Sequence, residues 1–473
     1  MQISLFLPEL ALIAMILVLF FASLGSNIKT GSVQGLALIF AALAVVAAVL
    51  SFSQQGLMFF DAYRVDAFSQ TFKVLITGGL LLVVFMGPGL TGIEARIKPE
   101  YYLFLTVSTL GLVFLSSAVE LLTILISLEI SSYALYVVIP FRRHNGFRVQ
   151  MEAGIKYVLF GAVSTGLTLF GMSYVFGFAH STYLSELSRV IPSLLLEQPL
   201  AVIGMVMMMC GFFYKLALFP MHFWTPDVYE GAANETTTFV ATLPKVGAVA
   251  LLIRLVVLTG VEVGQFTWIL ATVAVLSMTV GNLSALVQDD LKRLLAYSSI
   301  AHAGYVMVGI LSVGELGMSS AIYYIAGYVI MNLACFYVIY HLAPTGENVT
   351  FADLKGLHRK SPLLAFTLAA GAFGMAGIPP TVGFTGKFVL FTAAIDKGMY
   401  ALVILAMVNA AISAFYYLKM VRAAYSQDGE QQTTVVLGMP ARLLGVILVL
   451  AILLIGIFPQ SFIALAREAV AVL

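Results

Sequence analysis

Four ionisable side chains in otherwise apolar segments are the first candidates for chemistry. They are Glu129 in LLTILISLEISSYALYVV, Lys215 in GFFYKLALFP, Lys245 in FVATLPKVGAVALLIRL and Lys387 in GIPPTVGFTGKFVLF. A charged residue at the centre of a membrane helix costs roughly 2.5 to 3.5 kcal/mol on insertion scales. Ionisable groups kept inside a membrane at that cost usually mark an ion or proton route. The pattern therefore predicts a chain of proton-exchanging groups halfway across the membrane.

Helix breaks are expected beside two of these lysines. Pro220 follows Lys215, and the sequence Gly-Ile-Pro-Pro at 377–380 precedes Lys387. Proline removes a backbone donor and clashes with the preceding turn, so both helices should be discontinuous. Lys215 then lies at the C-terminal end of a half-helix, where the helix dipole favours a cation, with Glu129 as a candidate counter-ion. Lys387 is expected near the start of a half-helix, where the dipole disfavours its charge.

The remaining candidates are relay groups. Lys245 has no evident acidic neighbour in its own segment, which predicts a lysine that alternates between charged and neutral forms. His222 and His302 could relay protons near neutral pH, although a hydrogen-bonded packing role is the alternative for each. Lys156 is closer to the end of its segment and could extend its ammonium to the membrane interface.

Composition defines the setting for this chemistry. Of 473 residues, 61% are hydrophobic and 10% are charged, against the 45–50% and about 25% typical of soluble proteins. This excludes a soluble enzyme, a disordered chain and, with a net charge of +1, a nucleic-acid-binding protein. Two cysteines in apolar runs and the absence of C-x-x-C, H-E-x-x-H and phosphate-loop motifs predict no metal and no bound cofactor in this chain.

The apolar runs predict an all-α polytopic membrane protein with about fourteen transmembrane helices. The runs start near Leu5, Val33, Phe72, Tyr101, Val119, Ala153, Pro199, Thr238, Phe266, Arg293, Met318, Pro362, Met399 and Arg442. The expected breaks fall in the seventh and twelfth runs, which are five runs apart. Because five is odd, a second copy of a five-helix unit would cross the membrane in the opposite direction. The pattern therefore indicates two inverted five-helix repeats, spans 4–8 and 9–13. The predicted units are 1–100 (helices 1–3), 101–260 (first repeat), 261–423 (second repeat) and 424–473 (helix 14).

Cationic loops predict the orientation. Most loop Lys and Arg residues, among them Lys29 and Lys292, fall between odd and even spans, and fewer, among them Lys73 and Arg254, fall on the other side. Because such cations accumulate on the cytoplasmic side, both termini are expected on the non-cytoplasmic side. The cluster DDLKR at 289–293 is expected to form a helix start at the interface.

Four segments carry a family resemblance: YKLALFPMHFWTPDVYEGA, TTTFVATLPKVG, DDLKRLLAYSSIAHAGY and AGIPPTVGFTGKF. They resemble the antiporter-like membrane subunits of respiratory complex I, over nearly the whole chain. The segment after the seventh-span break reads HFWTPDVY and is similar to the subunit N form, whereas subunits L and M usually read H-x-W-L-P-D-A. The resemblance implies that Glu129 pairs with Lys215, that Lys245 is the central lysine of the eighth helix, and that Lys387 fills the ionisable position of the twelfth.

The resemblance also implies a function. It implies a proton-translocating subunit of NADH-quinone oxidoreductase in a bacterial inner (plasma) membrane, coupled to quinone reduction elsewhere in the complex. NADH, FMN, iron–sulfur clusters and quinone would belong to partner subunits, and paralogous antiporter-like subunits would be neighbours in the lipid bilayer. The alternatives are a subunit of a multi-subunit cation/proton antiporter and a membrane subunit of a hydrogenase or formate-oxidising complex. The charges at mid-membrane argue against a passive anchor.

Overall fold

The computed structural model describes residues 3–25, 30–87, 89–143, 147–259, 264–427 and 435–473. Within them, 13 helices are long and apolar enough to cross a membrane. One further crossing is formed by two short helices on either side of a break, which confirms the fourteen predicted spans. In order, spans 1 to 14 are Leu7–Leu24 (after the 3-10 turn Ile3–Phe6), Thr30–Leu50, Ala67–Met86, Lys98–Ser117, Leu121–Val138, Phe147–Ala179, Pro199–Leu216 with Thr225–Gly231, Asn234–Leu258, Gly264–Ala285, Leu291–Leu311, Glu315–Leu342, Pro362–Ala376 with Val382–Asp396, Tyr400–Ala424 and Met439–Ile457.

The centre of the bundle is formed by spans 8, 10 and 11. The most apolar window of each is 94% buried, whereas the windows of spans 1 and 2 are 39% and 28% buried. Spans 7 and 12 are both broken, and each is the fourth helix of its predicted five-helix repeat. The span that carries Lys245 is therefore enclosed by protein on almost all sides.

Several short elements connect the spans. Strands Gly56–Met58 and Tyr63–Val65 form an antiparallel hairpin before span 3. The other connectors are the 3-10 turns Ala95–Ile97 and Ile139–Phe141 and the short helices Phe351–Leu354 and Leu357–Lys360.

Two amphipathic helices, Leu184–Glu197 and Gln460–Val470, were not predicted. The first buries Leu184, Leu187 and Ile191 at the spacing of one helix face. At 14 and 11 residues, both helices are too short to cross a membrane, so a search for long apolar runs passes over them.

Side-chain caps set three of the span starts. Asp66 accepts from the backbone N–H of Ser69 at the start of span 3, and Glu120 accepts from that of Thr123 at the start of span 5. The predicted helix start at 289–293 is confirmed, because Asp290 accepts from the backbone N–H of Arg293 at 2.9 Å. Such caps satisfy backbone donors that have no partner within the helix.

Three cations that were predicted to lie in loops are buried in the spans. Lys73 lies inside span 3 and pairs with Glu9 at 2.7 Å. Arg254 lies in the last turns of span 8, and Lys292 lies in the first turn of span 10, where it donates to the carbonyl of Ala232. Each position is stable because a carboxylate or a backbone carbonyl meets the charge. Lys29 lies outside the described residues.

Candidate proton-translocation site

The break in span 7 separates its two halves at residues 217–224, where Ala217 adopts the left-handed conformation with φ of 64°. Lys215 is the penultimate residue of the first half, as predicted, and it is almost completely buried. Its ammonium donates to the hydroxyl of Ser132 in span 5 at 2.9 Å. The C-terminal end of a helix attracts a cation, so both the helix and the hydroxyl stabilise the charge.

Glu129 does not form the expected direct ion pair with Lys215. Its carboxylate accepts from the hydroxyl of Thr165 in span 6 at 2.6 Å, and among the described residues no ion pair within 4.0 Å joins it to Lys215. Its charge still acts on the Lys215 ammonium. Because Ser132 lies one turn beyond Glu129 on the same helix, span 5 supplies both the acidic group and the hydroxyl that meets Lys215.

Lys245 binds the free carbonyl end of the break in span 7. Its Nζ donates to the carbonyl of Leu216 at 3.1 Å and to the hydroxyl of Ser299 at 2.9 Å. Carbonyls in the last turn of a helix have no partner within that helix, so the break leaves an acceptor for the amine. Leu216 is the residue after Lys215, so the amine of Lys245 lies at the same helix end that carries Lys215.

Lys387 repeats this arrangement at the break in span 12. Its Nζ donates to the carbonyls of Met375 at 2.9 Å and Ala376 at 3.1 Å, at the end of the first half-helix. The expectation that a helix dipole disfavours its charge is therefore wrong. The side chain folds back from the second half-helix and places its amine at the C-terminal end of the first, where a cation is stabilised. Gly377, with φ of 84°, makes the turn after that end.

His302 lies between Lys245 and Lys387. Its two ring nitrogens contact the hydroxyls of Tyr324 at 2.7 Å and Tyr417 at 2.9 Å. The ring of Tyr305 lies 5.8 Å from the imidazole and 4.8 Å from the Lys387 ammonium, measured to its centroid. The hydroxyl of Tyr417 continues to that of Ser298. These tyrosines and Ser298 belong to the polar contacts between Lys245 and Lys387. The tyrosines were not predicted, because aromatic residues in apolar runs also fit ordinary packing, and nothing in the sequence around Ser298 marks it.

His222 is buried near the first break. Its ring packs against the rings of Phe219 and Phe223, with centroids 5.6 and 4.3 Å away. Its Nδ1 has no hydrogen-bond partner among the described residues. The structure therefore places His222 in an aromatic pocket, apart from the contacts that join Lys245 to Lys387.

Lys156 belongs to a separate group of ion pairs at the membrane interface. Its ammonium contacts Glu152 at 2.6 Å and Asp227 at 2.5 Å. Arg293 contacts Asp227 at 2.8 Å and Glu230 at 2.6 Å. These pairs connect spans 6, 7 and 10, so the side chain of Lys156 extends to an interfacial cluster. It does not extend to the four mid-membrane residues that we call the row, which are Glu129, Lys215, Lys245 and Lys387.

The contacts around Lys245 are tight. Lys245, Ser299, His302 and Tyr328 line one narrow void that is too small to hold a water molecule. Proton transfer past Lys245 therefore requires either side-chain rotation or widening of this void.

Comparison with known proteins identifies the family of this chain. Residues 118–413 match the family model described as the transmembrane region of NADH:quinone oxidoreductase and Mrp antiporters. The chain is 46% identical over 457 residues to NADH-quinone oxidoreductase subunit N 2 of Opitutus terrae, covering 96% of this chain and 95% of that protein.

Solved structures show the same fold. A chain of respiratory complex I from Thermus thermophilus with bound aureothin is similar with a TM-score of 0.83 and 30% identity, covering 97% of this chain and 99% of that one. The Mrp complex from Dietzia sp. gives a TM-score of 0.86 at 18% identity, covering 100% of this chain and 97% of that chain, a likeness of fold alone. The chain thus belongs to the antiporter-like membrane subunits of NADH:quinone oxidoreductases, within the group of subunit N.

Proposed function

We propose that this chain translocates protons through Glu129, Lys215, Lys245 and Lys387, as a membrane subunit of an NADH-quinone oxidoreductase. One observation carries the proposal. Lys245 and Lys387 each donate to carbonyls freed by a break in a membrane helix, at 2.9–3.1 Å. The ends of half-helices form ion sites in transporters. Irregular backbone at membrane depth occurs only where it is buried in protein or lines a water-filled cavity.

The contacts support an order for the row. Lys215 lies at the end of the first half of span 7, and Lys245 binds the carbonyl of the next residue, Leu216. Lys245 and His302 line the same void, and His302 contacts the ring of Tyr305, against which Lys387 packs. A proton therefore passes from the Glu129 end to the Lys387 end, or in reverse, with His302 and its tyrosines between the last two lysines.

A partner subunit is proposed to cover the face of span 5 that carries Glu129. Glu129 is only half-buried, and its neighbours Ile126 and Tyr133 are 59% and 60% exposed. A carboxylate facing hydrocarbon would be strongly disfavoured. A neighbouring membrane subunit with a polar surface would remove this cost, as expected for paralogous antiporter-like subunits assembled side by side.

The cofactors of the reaction are proposed to lie in partner subunits. No group of three or more His, Cys, Asp or Glu that could hold a metal occurs among the described residues. Electron transfer from NADH to quinone through FMN and iron–sulfur clusters is proposed to occur in those partner subunits, and this chain is proposed to serve the coupled proton movement. The proposed location is a bacterial inner membrane with both termini on the non-cytoplasmic side.

The test is proton pumping by the assembled complex in inverted membrane vesicles. Lys245→Ala should lower the number of protons moved per NADH oxidised while the complex still assembles. Lys397→Ala, at an exposed lysine between spans 12 and 13, is the control and should leave this ratio unchanged. Unchanged pumping by Lys245→Ala in a fully assembled complex would overturn the proposal.

A further inference from the structure

A buried carboxylate lies in span 8 outside the row. Glu235 occupies the first turn of the span and is 2% exposed. Its Oε1 accepts from the backbone N–H of Gly92 at 3.0 Å. Its Oε2 is buried and has no hydrogen-bond partner among the described residues. Buried polar atoms are nearly always paired, so an unpaired carboxylate oxygen calls for a ligand, a water molecule or a proton.

Other polar atoms without partners surround Glu235. The hydroxyls of Tyr101 and Tyr102, at the start of span 4, and of Thr236 are buried and have no hydrogen-bond partner among the described residues. The charge of Glu235 acts on both tyrosine hydroxyls and on that of Tyr340 in span 11. Spans 4, 8 and 11 therefore enclose a polar site with unused hydrogen-bonding capacity.

Three cations lie near this site, at one face of the membrane. Lys98 at the start of span 4 and Lys292 at the start of span 10 act on the Glu235 carboxylate, as does Arg142 after span 5. This is the face that carries most of the loop cations and is therefore the proposed cytoplasmic face. Burial disfavours the charged carboxylate, whereas the three positive charges favour it. These opposed influences let Glu235 exist in either form, and its ionised form can accept a proton arriving from that side.

A strip of polar side chains leads from Glu235 to Lys245. Asn332 and Tyr328 are four residues apart and lie on one face of span 11. Tyr340 lies about two turns beyond Asn332, close to Glu235 of span 8. Asn332 is completely buried, and neither its amide nitrogen nor its amide oxygen has a partner among the described residues. Tyr328 donates to the carbonyl of Ala241 in span 8 and lines the void at Lys245.

The two helices have matching lengths along this route. At 1.5 Å per residue, Glu235 and Lys245 are about 15 Å apart along span 8. Tyr340 and Tyr328 are about 18 Å apart along span 11, which runs in the opposite direction. The strip on span 11 therefore covers the distance between the carboxylate and the lysine.

We propose that Glu235 is a proton-loading site that supplies Lys245 along the strip of Tyr340, Asn332 and Tyr328. Oε2 of Glu235 takes a proton from the cytoplasmic side and becomes a neutral carboxylic acid. It then releases that proton to hydroxyls and to water molecules oriented by the Asn332 amide. The proton ends on the neutral amine of Lys245, which becomes an ammonium, and the Glu235 carboxylate is restored. The proposal rests on proton translocation through Lys245.

The experiment compares variants of the assembled complex in inverted vesicles. Glu235→Gln keeps the acceptor for the Gly92 N–H but cannot take a proton, and it should lower the protons moved per NADH oxidised as far as Lys245→Ala does. Glu235→Asp should restore part of the ratio. Glu94→Gln is the matched control, since Glu94 is an exposed carboxylate close to Gly92, and it should pump normally.

A second variant keeps the test decisive if Glu235→Gln fails to assemble. Asn332→Leu removes the amide at the middle of the strip and should slow pumping while NADH oxidation with an artificial electron acceptor continues. If Lys245→Ala has lost pumping but Glu235→Gln pumps normally, this inference is overturned and the proposed function stands. If Glu235→Gln does not assemble, normal pumping by Asn332→Leu overturns the inference in the same way. Normal pumping by Lys245→Ala overturns the proposed function as well.

Discussion

The buried ion pair between spans 1 and 3 offers a sharp test of the electrostatic reasoning. Glu9 and Lys73 are both completely buried, and Oε1 of Glu9 lies 2.7 Å from Nζ of Lys73. The hydroxyl of Tyr63 donates to the same carboxylate oxygen at 2.5 Å, and the ammonium lies 5.1 Å from the centroid of its ring. Replacing Lys73 by methionine keeps most of the side-chain volume but leaves the carboxylate without its cation.

The magnitude follows from the distance and the burial. Two unit charges 2.7 Å apart attract by about 6 kcal/mol at an effective dielectric constant of about 20. Removing one partner of a buried pair typically costs about 3–5 kcal/mol, because the other charge stays buried and unpaired. Removing both partners is often nearly neutral. We therefore expect Lys73→Met and Glu9→Gln each to destabilise spans 1–3 by about 3–5 kcal/mol, and the double variant to recover most of this loss.

The assay is a double-mutant cycle on the purified complex, read by thermal unfolding and by hydrogen exchange in spans 1 and 3. The exposed pair Glu186–Arg189, 3.8 Å apart, is the matched control, and its removal should cost less than about 1 kcal/mol. If the two single losses simply add in the double variant, the pair does not act as a buried unit and the reasoning is refuted.

Two further predictions concern span 12 and the interfacial ion pairs. Gly383→Ala should separate the halves of span 12 and impair pumping, because an added Cβ would overlap the carbonyl oxygen of Gly374; Gly166→Ala, which meets open space, should not. Lys156 and Arg293 contact the Asp227 carboxylate at 2.5 and 2.8 Å. Asp227→Asn removes the negative charge that both cations meet, so it should lower the thermal stability of the complex at neutral pH by roughly 1 kcal/mol. An unchanged melting temperature would contradict this.

Most of the fold could be predicted from hydropathy and from the positions of proline and glycine. Long apolar runs are sufficient for counting spans, because a helix that crosses a membrane must satisfy its own backbone and present apolar side chains to lipid. Pro220 and the Gly-Ile-Pro-Pro sequence likewise marked the two breaks, since proline acts on its own helix. The amphipathic helices were missed because their signal is one apolar face of a short segment.

Side-chain partners were harder to predict, since they depend on which helices touch. Ser132 and Ser299 meet Lys215 and Lys245 across 83 and 54 positions of sequence, and nothing in either serine's surroundings marks it. The direction of the Lys387 side chain could not be predicted either. Its position suggested the N-terminal end of the second half-helix, but the side chain is long enough to reach the C-terminal end of the first. The functional roles of the four row residues and the unit boundaries at 100, 260 and 423 stay predictions.

The interfacial ion pairs restrict how the molecule can move. Arg293 in the second repeat binds Asp227 and Glu230 in the first. Arg142, at the end of span 5, donates to the carbonyls of Glu230 and Gly346. A transporter that rocks its two halves against each other would have to break these ion pairs and hydrogen bonds in every cycle. They instead favour a rigid frame in which protons advance by small rearrangements of side chains. Coupling to a neighbouring subunit would then not need large movements of the helices.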